Sequence, residues 1–293
     1  MTRCGTVAIV GRPNVGKSTL INHLIGQKIS IVSRKPQTTR LPLKGILTEQ
    51  DTQYIFVDTP GYQTRYGNAL NRSMNRSVLT ILQGVDVVVF VVEALKWEKE
   101  DTQVLDRIPL TTFPILAINK IDRVRDKSRL IPYLEDRARM NRFAALVPLS
   151  ASHDKAFSGL LSEIRGRLPE SPFIFEADDI TDSSERFLVA EFIRESLFRL
   201  LGEELPYSVS VMIEQFENKE SITHIQAIIL VDNDNQKAIV IGHQGTKLKA
   251  IGTAARKNME QLLQSKVHLG LWVKVKGGWA DDQRILKQLG HDV

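Results

Sequence analysis

Gly11-Arg12-Pro13-Asn14-Val15-Gly16-Lys17-Ser18 decides how the first half of this chain is read. The run fits the pattern GxxxxGK[ST], and it stands between a short apolar strand at 6–10 and an amphipathic helical pattern at 18–25. A strand before and a helix after give the pattern its meaning. The glycines let the backbone curl so that successive N–H groups face phosphate oxygens. Lys17 brings a point charge to the terminal phosphates, and the start of the helix adds a partial positive charge. Ser18 offers a hydroxyl to Mg²⁺, and Val15 and Thr19 complete the stretch assigned to the nucleotide.

Outward from this loop, β-branched and apolar runs at 43–47, 54–57, 85–92, 114–118 and 144–149 alternate with helical patterns at 68–83, 100–107, 127–139 and 157–167. Strands alternating with helices of this length imply βαβ crossovers and a doubly wound, mostly parallel sheet, an α/β fold. Residues bearing chemistry then recur at strand ends. Asp58, in Asp58-Thr59-Pro60-Gly61, can hold Mg²⁺ through water, and Gly61 can bring its N–H to a γ-phosphate unobstructed. Asn119-Lys120-Ile121-Asp122 follows the strand at 114–118; a carboxylate there accepts from both the imino and amino groups of guanine, donors that adenine lacks. Ser150-Ala151-Ser152 can turn a backbone N–H toward the guanine carbonyl. Four such elements in this order point to GTP. Between the phosphate loop and Asp58 lies Arg34-Lys35-Pro36-Gln37-Thr38-Thr39-Arg40, a polar loop from which Thr39 is favoured to lend a hydroxyl to Mg²⁺ when the γ-phosphate is present. Lys17, Thr39 and Gly61 are the candidate catalytic residues.

The rhythm breaks at 169–184, where Pro169, Pro172 and five acidic residues mark a linker between a nucleotide-binding half, 1–168, and a second domain, 185–293. The second domain reads as a smaller α+β module: a helix at 185–201, strands at 209–216 and 225–231, two short helical patterns around Gly242 and Gly245, and a strand at 267–276. Within it, 236–276 holds eight basic residues and one acidic one. That run is either a nucleic-acid footprint or a solvated helix face. Two glycines at a helix–helix turn let a nucleic-acid backbone approach, with His243 and Gln244 between them and Lys247, Lys249, Arg256 and Lys257 as counter-charge.

Whole-chain composition sets the bounds. A length of 293 residues favours two domains, and 42% apolar with 25% charged residues is an ordinary folded balance, at a net charge of +5. No stretch reaches the ~18 apolar residues of a membrane helix, and no signal peptide fits the N-terminus. Cys4, the one cysteine, excludes an intrachain disulfide and a cysteine metal cluster, and is read as a packing residue. Trp272 and Trp279 are also read as packing residues, and Arg72, Met74 and Arg76 as a solvated helix face. A cytoplasmic protein is expected.

The first half, with its Lys-Pro-Gln-Thr-Thr-Arg loop, resembles the Era family within the Era–Der–MnmE-like branch of translation GTPases. The segment Val240-Ile241-Gly242-His243-Gln244-Gly245-Thr246-Lys247 resembles the GxxG loop of a KH domain of the second topological type, and the Val-Lys-Val-Lys-Gly-Gly-Trp near the C-terminus is similar to Era as well. The resemblance implies GTP binding and hydrolysis with Mg²⁺, recognition of single-stranded ribosomal RNA near the 3′ end of the small-subunit rRNA, and a role in small-subunit assembly. It also implies a monomer, a peripheral contact with the inner membrane face in some members, and K⁺ activation with Asn14 as candidate ligand. Tyr62 stands where many GTPases place a water-orienting glutamine, so slow intrinsic hydrolysis is expected. The alternatives are a non-enzymatic RNA-binding factor that uses nucleotide structurally and an ATPase or nucleotide kinase; Asn119 to Asp122 speaks against the latter.

Overall fold

Strands covered on both faces by helices bury nearly every side chain, and the apolar runs of the first half do so. The computed structural model describes residues 1–33, 35, 38–62, 67–153, 157–202 and 205–291. β1 (Arg3–Val10), β3 (Thr52–Asp58), β4 (Val87–Glu93), β5 (Ile115–Asn119) and β6 (Ala145–Pro148) run parallel, and β2 (Leu43–Glu49) joins β3 antiparallel. The order is β2-β3-β1-β4-β5-β6. Helices α1 (Lys17–Ile25), α2 (Ala69–Gly84), α3 (Lys99–Leu105), α4 (Leu130–Ala138) and α5 (Ser158–Arg165) accompany these strands. Strand order reverses at β1, which pairs with β3 on one side and β4 on the other. The loops leaving the C-terminal ends of these strands therefore diverge, and the crevice between them is where open α/β sheets bind ligands.

The doubly wound sheet matches the expectation, with departures. The helical run expected at 127–139 divides into a 3₁₀ turn, Lys127–Arg129, and α4. Met74, expected on a solvated face, is 1% exposed, because Leu70, Met74, Val78 and Leu82 form the i, i+4 stripe that α2 buries. Arg72 and Arg76 are exposed as expected. Cys4 is buried in β1, its thiol donating to Gln53 Oε1 at 3.5 Å, and burial pushes its pKa up.

The chain divides into two units: Met1–Ser30, Thr39–Tyr66 and Met74–Asp182 form one, and Ile31–Thr38, Gly67–Ser73 and Ser183–Val293 the other. Most of the segment expected as a linker is docked in the first unit, along the β2 edge. Ile46 N donates to Ile180 O at 2.9 Å, and Thr181 Oγ1 donates to Lys44 O at 2.6 Å. Gln53, wholly buried in β3, accepts from the N–H groups of Ile174 and Phe175 through Oε1 at 2.9 and 3.0 Å, and donates to Phe175 O through Nε2 at 2.9 Å. Gln53→Ala leaves these backbone groups unpaired. It should cost about 1–3 kcal/mol and expose 170–182 to proteolysis, which thermal denaturation and limited digestion with chymotrypsin, cutting after Phe173 and Phe175, would read.

In the second unit, α6 (Glu185–Leu200) begins at Ser184, whose side chain accepts from Phe187 N. β7 (Val209–Lys219), β8 (Ile222–Val231) and β9 (Lys266–Val275) form a sheet in that order, β7–β8 antiparallel and β8–β9 parallel. α7 (Asp234–Ile241) and α8 (Thr246–Leu263) connect β8 to β9. Phe192 and Leu197 of α6, Ile225 and Ile229 of β8, Val240 of α7 and Ile251 and Met259 of α8 share one core. The segment Ile31–Thr38 clusters here: Val32 N donates to Glu195 Oε1 at 3.2 Å, and the Arg194 guanidinium donates to Thr38 O. A short α9 (Gln283–Gln288), capped by Asp282, was not expected. Trp279 packs as expected, wholly buried with Nε1 donating to Ser208 O at 3.0 Å. Trp272 does not; it is 53% exposed.

Candidate functional site

The phosphate loop gains its shape from backbone conformations that side chains resist. Gly11 lies at φ +153° and Gly16 at φ +105°; a Cβ on Gly11 would meet Val91 O at 2.4 Å, and one on Gly16 would meet Asn119 Nδ2 at 2.3 Å. Asn14 takes the left-handed region at φ 65°, which asparagine tolerates. Gly16 caps α1 without a side-chain hydrogen bond, so the first N–H groups of the helix remain open to an anion. Lys17 folds back over the loop, Nζ donating to Gly11 O at 3.0 Å and Arg12 O at 3.1 Å. Thr19, two residues further along α1, is half-buried.

Ser18, Thr39 and Asp58, drawn from three separate stretches of sequence, meet. Asp58 is fully buried, and its Oδ2 accepts from Ser18 Oγ at 2.7 Å and Thr39 Oγ1 at 3.2 Å; the two hydroxyls lie 3.0 Å apart. Sequence reasoning missed a third hydroxyl, Ser30 Oγ, which donates to the same oxygen at 2.6 Å. Asn22 holds Ser30 there: its Oδ1 accepts from Ile29 N and Ser30 N, and its Nδ2 donates to Ser30 O at 2.7 Å. The available signal was a short polar side chain amid the apolar run of α1, a residue type that prefers bonding to backbone. Burial pushes the Asp58 pKa up against these hydroxyls and Lys17, and its Oδ1 has no hydrogen-bond partner among the described residues. A buried carboxylate with one vacant oxygen beside two hydroxyls fits the water shell of a hard divalent cation. Gly61 lies against the loop; a Cβ on it would come 3.0 Å from Pro13 Cγ. Of the polar loop before Asp58, residues 34, 36 and 37 lie outside the described residues.

The base end is assembled from β5 and β6. Asn119 Nδ2 donates to Val15 O at 2.7 Å, and its Oδ1 accepts from Ala151 N at 2.9 Å and Lys120 N at 2.7 Å. Its amide therefore ties the phosphate loop to the 150–152 loop. Lys120, left-handed at φ 65°, donates to Asn14 O at 2.7 Å and pairs with Glu93 at 2.6 Å. Asp122 Oδ1 accepts from Ser150 Oγ at 2.5 Å. Burial opposes ionisation of Asp122, but the Ser150 hydroxyl, the backbone N–H of Asp122 itself and the charges of His153 and Arg123 together outweigh it and hold the carboxyl below its ordinary range. Tyr62 is buried in the core beside β1 and β4, with the Arg107 guanidinium 5.6 Å from its ring centre.

Burial also lowers Lys17 from 10.5 to about 8, with Asp58 opposing the shift. Between those two values the folded chain has released a proton that the unfolded chain retains, so the cost of burying this charge is relieved as pH rises across the window. Phosphate needs the charged form. GDP affinity should hold below about pH 7.5 and fall toward tenfold per unit above about 8. A titration series from neutral to alkaline pH checks this, and a flat profile would refute it.

In the second unit the GxxG turn is open. Gly242 lies at φ 73°, where a Cβ would come 2.7 Å from Lys247 Cβ; Gly245 lies at φ 78°, with nothing within 4 Å of a Cβ. His243 and Gln244 are exposed, and α8 starts at Gly245 without a side-chain cap. Lys249, Arg256 and Lys257 are exposed along α8, and Lys247 is half-buried.

Two family models match the chain, one described as a 50S ribosome-binding GTPase over residues 6–120 and one as a KH domain over 204–280. The sequence is 55% identical over 290 residues to GTPase Era of Nitrosomonas eutropha, covering 99% of this chain and 98% of that one. It is 53% identical over 291 residues to GTPase Era of Pseudomonas putida, covering 99% and 97%. Among solved structures, a variant of Aquifex aeolicus Era bound to GDP·AlF4⁻ matches over 100% of both chains at TM-score 0.95 and 35% identity. Era in complex with MgGDPNP and nucleotides 1506–1542 of 16S ribosomal RNA matches over 100% of both at TM-score 0.96 and 35% identity.

Proposed function

The chain belongs to the Era family and is a GTPase, and from that premise we propose that GTP turnover governs a second activity: binding of single-stranded RNA at the 3′ end of small-subunit ribosomal RNA during assembly of the small subunit. One observation carries this reading. Four loops, from the ends of β1, β3, β5 and β6, converge on one crevice in a chain that also folds a GxxG module. The division we propose is a nucleotide domain at 1–168, a link at 169–184 and a KH-type domain with its C-terminal extension at 185–293.

In this reading, N–H groups of Gly16, Lys17, Ser18 and Thr19 take the phosphates, and Lys17 turns from Gly11 O and Arg12 O to their charge. Ser18 and Thr39 hold Mg²⁺, and Asp58 holds it through water, with the vacant Oδ1 as acceptor. The cation supplies charge stabilisation to the phosphoryl group in transfer. Gly61 offers its N–H at the γ-phosphate. Asp122 reads guanine, the Ala151 N–H that donates to Asn119 Oδ1 is shared with the guanine carbonyl, and Asn119 and Lys120 hold the two ends of the site together.

Tyr62, its ring buried, cannot orient water, so intrinsic hydrolysis is slow and RNA, a protein partner or K⁺ raises it. Asn14 is the proposed K⁺ ligand: it is exposed, and its side chain makes no hydrogen bond among the described residues. Single-turnover GTP hydrolysis, with and without RNA and in potassium against sodium buffer, tests the reading. RNA that binds without changing the rate in either buffer would sink the proposed coupling. Among the described residues no helix is long and apolar enough to cross a membrane. Cytoplasmic placement, a monomeric state and a peripheral membrane contact are proposed on the family resemblance alone.

The GxxG module is tested separately. His243→Asp with Gln244→Asp sets negative charge against RNA phosphates while both glycines stay. RNA affinity should fall at least tenfold and its salt slope should change, at about −0.7 per phosphate neutralised. GDP affinity should not move. Fluorescence anisotropy with labelled RNA and labelled GDP reads both.

A further inference from the structure

β9 is an edge strand, and Val267, Leu269, Leu271, Val273 and Val275 turn into the core. Lys266, His268, Gly270, Trp272 and Lys274 therefore stand on the opposite face, ~6.6 Å apart at ~3.3 Å per residue. All but Gly270 are exposed. Beside this row, in register, β8 sets His224, Gln226 and Ile228. Neither row contains an acid. The His224 and His268 rings lie 5.2 Å apart. Glu217, opposite His224 on β7, is already paired with Lys219 at 3.2 Å.

Gly270 makes the surface continuous. A Cβ there would come 2.9 Å from the Trp272 ring and 2.0 Å from Gln226 Oε1, so the indole and the amide both reach across the glycine. Gln226 Oε1 is buried with no hydrogen-bond partner among the described residues. Lys266 and Lys274 have no ion pair among the described residues. An apolar protein partner gains nothing from two uncompensated lysines flanking an indole. A single nucleic-acid strand gains from both, stacking bases on the aromatic faces and setting phosphates on the charges. A GxxG loop clamps four nucleotides, whereas the Era complex described above contains nucleotides 1506–1542.

We propose that the outward face of β9 is a second contact for single-stranded RNA, with bases on Trp272 and His268 and phosphates on Lys266 and Lys274. This rests on the RNA-binding reading of the GxxG module. The full-length chain is titrated with an unstructured tetranucleotide and with an unstructured strand of about 16 nucleotides, following anisotropy and tryptophan fluorescence. Trp272→Ala should weaken the longer strand about tenfold and leave the tetranucleotide unchanged, with Trp272→Phe restoring most of the loss. Lys266→Gln with Lys274→Gln should lower the salt slope for the longer strand by about 1.4. The longer strand should quench wild-type fluorescence, and Trp272→Ala should abolish the quench. Equal affinities of wild type and variants overturn the proposal. So does loss of both probes in a variant of unchanged circular dichroism, which places the row within the four-nucleotide clamp. A Trp272→Ala change from dimer to monomer in sedimentation, with RNA affinity unaltered, overturns it in favour of self-association. If wild type binds neither probe, the RNA-binding reading itself fails.

Discussion

Asp122→Asn is expected to lose at least tenfold in GDP affinity and to prefer XDP. A carboxylate facing guanine accepts from the imino and amino groups through its two oxygens. The asparagine amide keeps one acceptor and sets a donor against the exocyclic amine, donor against donor. An unsatisfied buried polar group costs ~1–3 kcal/mol, and more where charge is involved. Xanthine carries a carbonyl in place of that amine, so the new donor finds a partner there. Ser150 sharpens the expectation: its hydroxyl donates to Asp122 Oδ1 at 2.5 Å, fixing the carboxylate before the base arrives. Lys17 and Ser18 are untouched, so phosphate binding survives. Titration of wild type and variant with GDP and XDP decides it. An unchanged preference removes Asp122 as the base reader.

Asn119→Ala should be the most damaging single change at the crevice, lowering GDP affinity a hundredfold or more and stability by about 2–5 kcal/mol. Its amide makes three hydrogen bonds to backbone, and truncation leaves Val15 O, Lys120 N and Ala151 N without them. The phosphate loop and the base loop then lose their tie, and a small misplacement of binding groups is costly. Asn119→Asp separates the two halves of this effect. It keeps acceptors for Ala151 and Lys120 but turns an oxygen toward Val15 O, so the phosphate loop alone is released. Gly16 belongs to the same lock, since a Cβ there would reach Asn119 Nδ2. Calorimetric titration with GDP and thermal denaturation would show both effects; a variant that binds GDP normally rejects the lock.

The sheet was legible because strands buried on both faces leave apolar runs that little else explains, and the site because its motifs follow strand ends. Asp58, Ser18 and Thr39 could be named from their order in the chain. Ser30 could not, since its position depends on Asn22 folding residues 29–30 back toward Asp58. The role of Asn119 as a tie between two loops was hidden for the same reason: hydrogen bonds to distant backbone leave no local pattern. The segment at 169–184 reads as a linker by its prolines and acids, yet Gln53, the second residue of β3, anchors it to the sheet. Met74 was misplaced by its arginine neighbours, although its spacing to Val78 and Leu82 was present. Trp272 was assigned to the core by residue type, while the strand's alternation turns it outward.

Cys4 carries a practical consequence. The chain's one thiol lies within a six-stranded sheet, 2% exposed and held on Gln53, and burial keeps it in the protonated, unreactive form. A cysteine introduced on the surface, at the GxxG turn or at the mouth of the crevice, can then carry a fluorophore or spin label without removal of the native residue. In the unlabelled wild type the same thiol acts as a clock: alkylation waits for the β1–β3 pairing to part, and its rate across a denaturant series measures the free energy of that local opening.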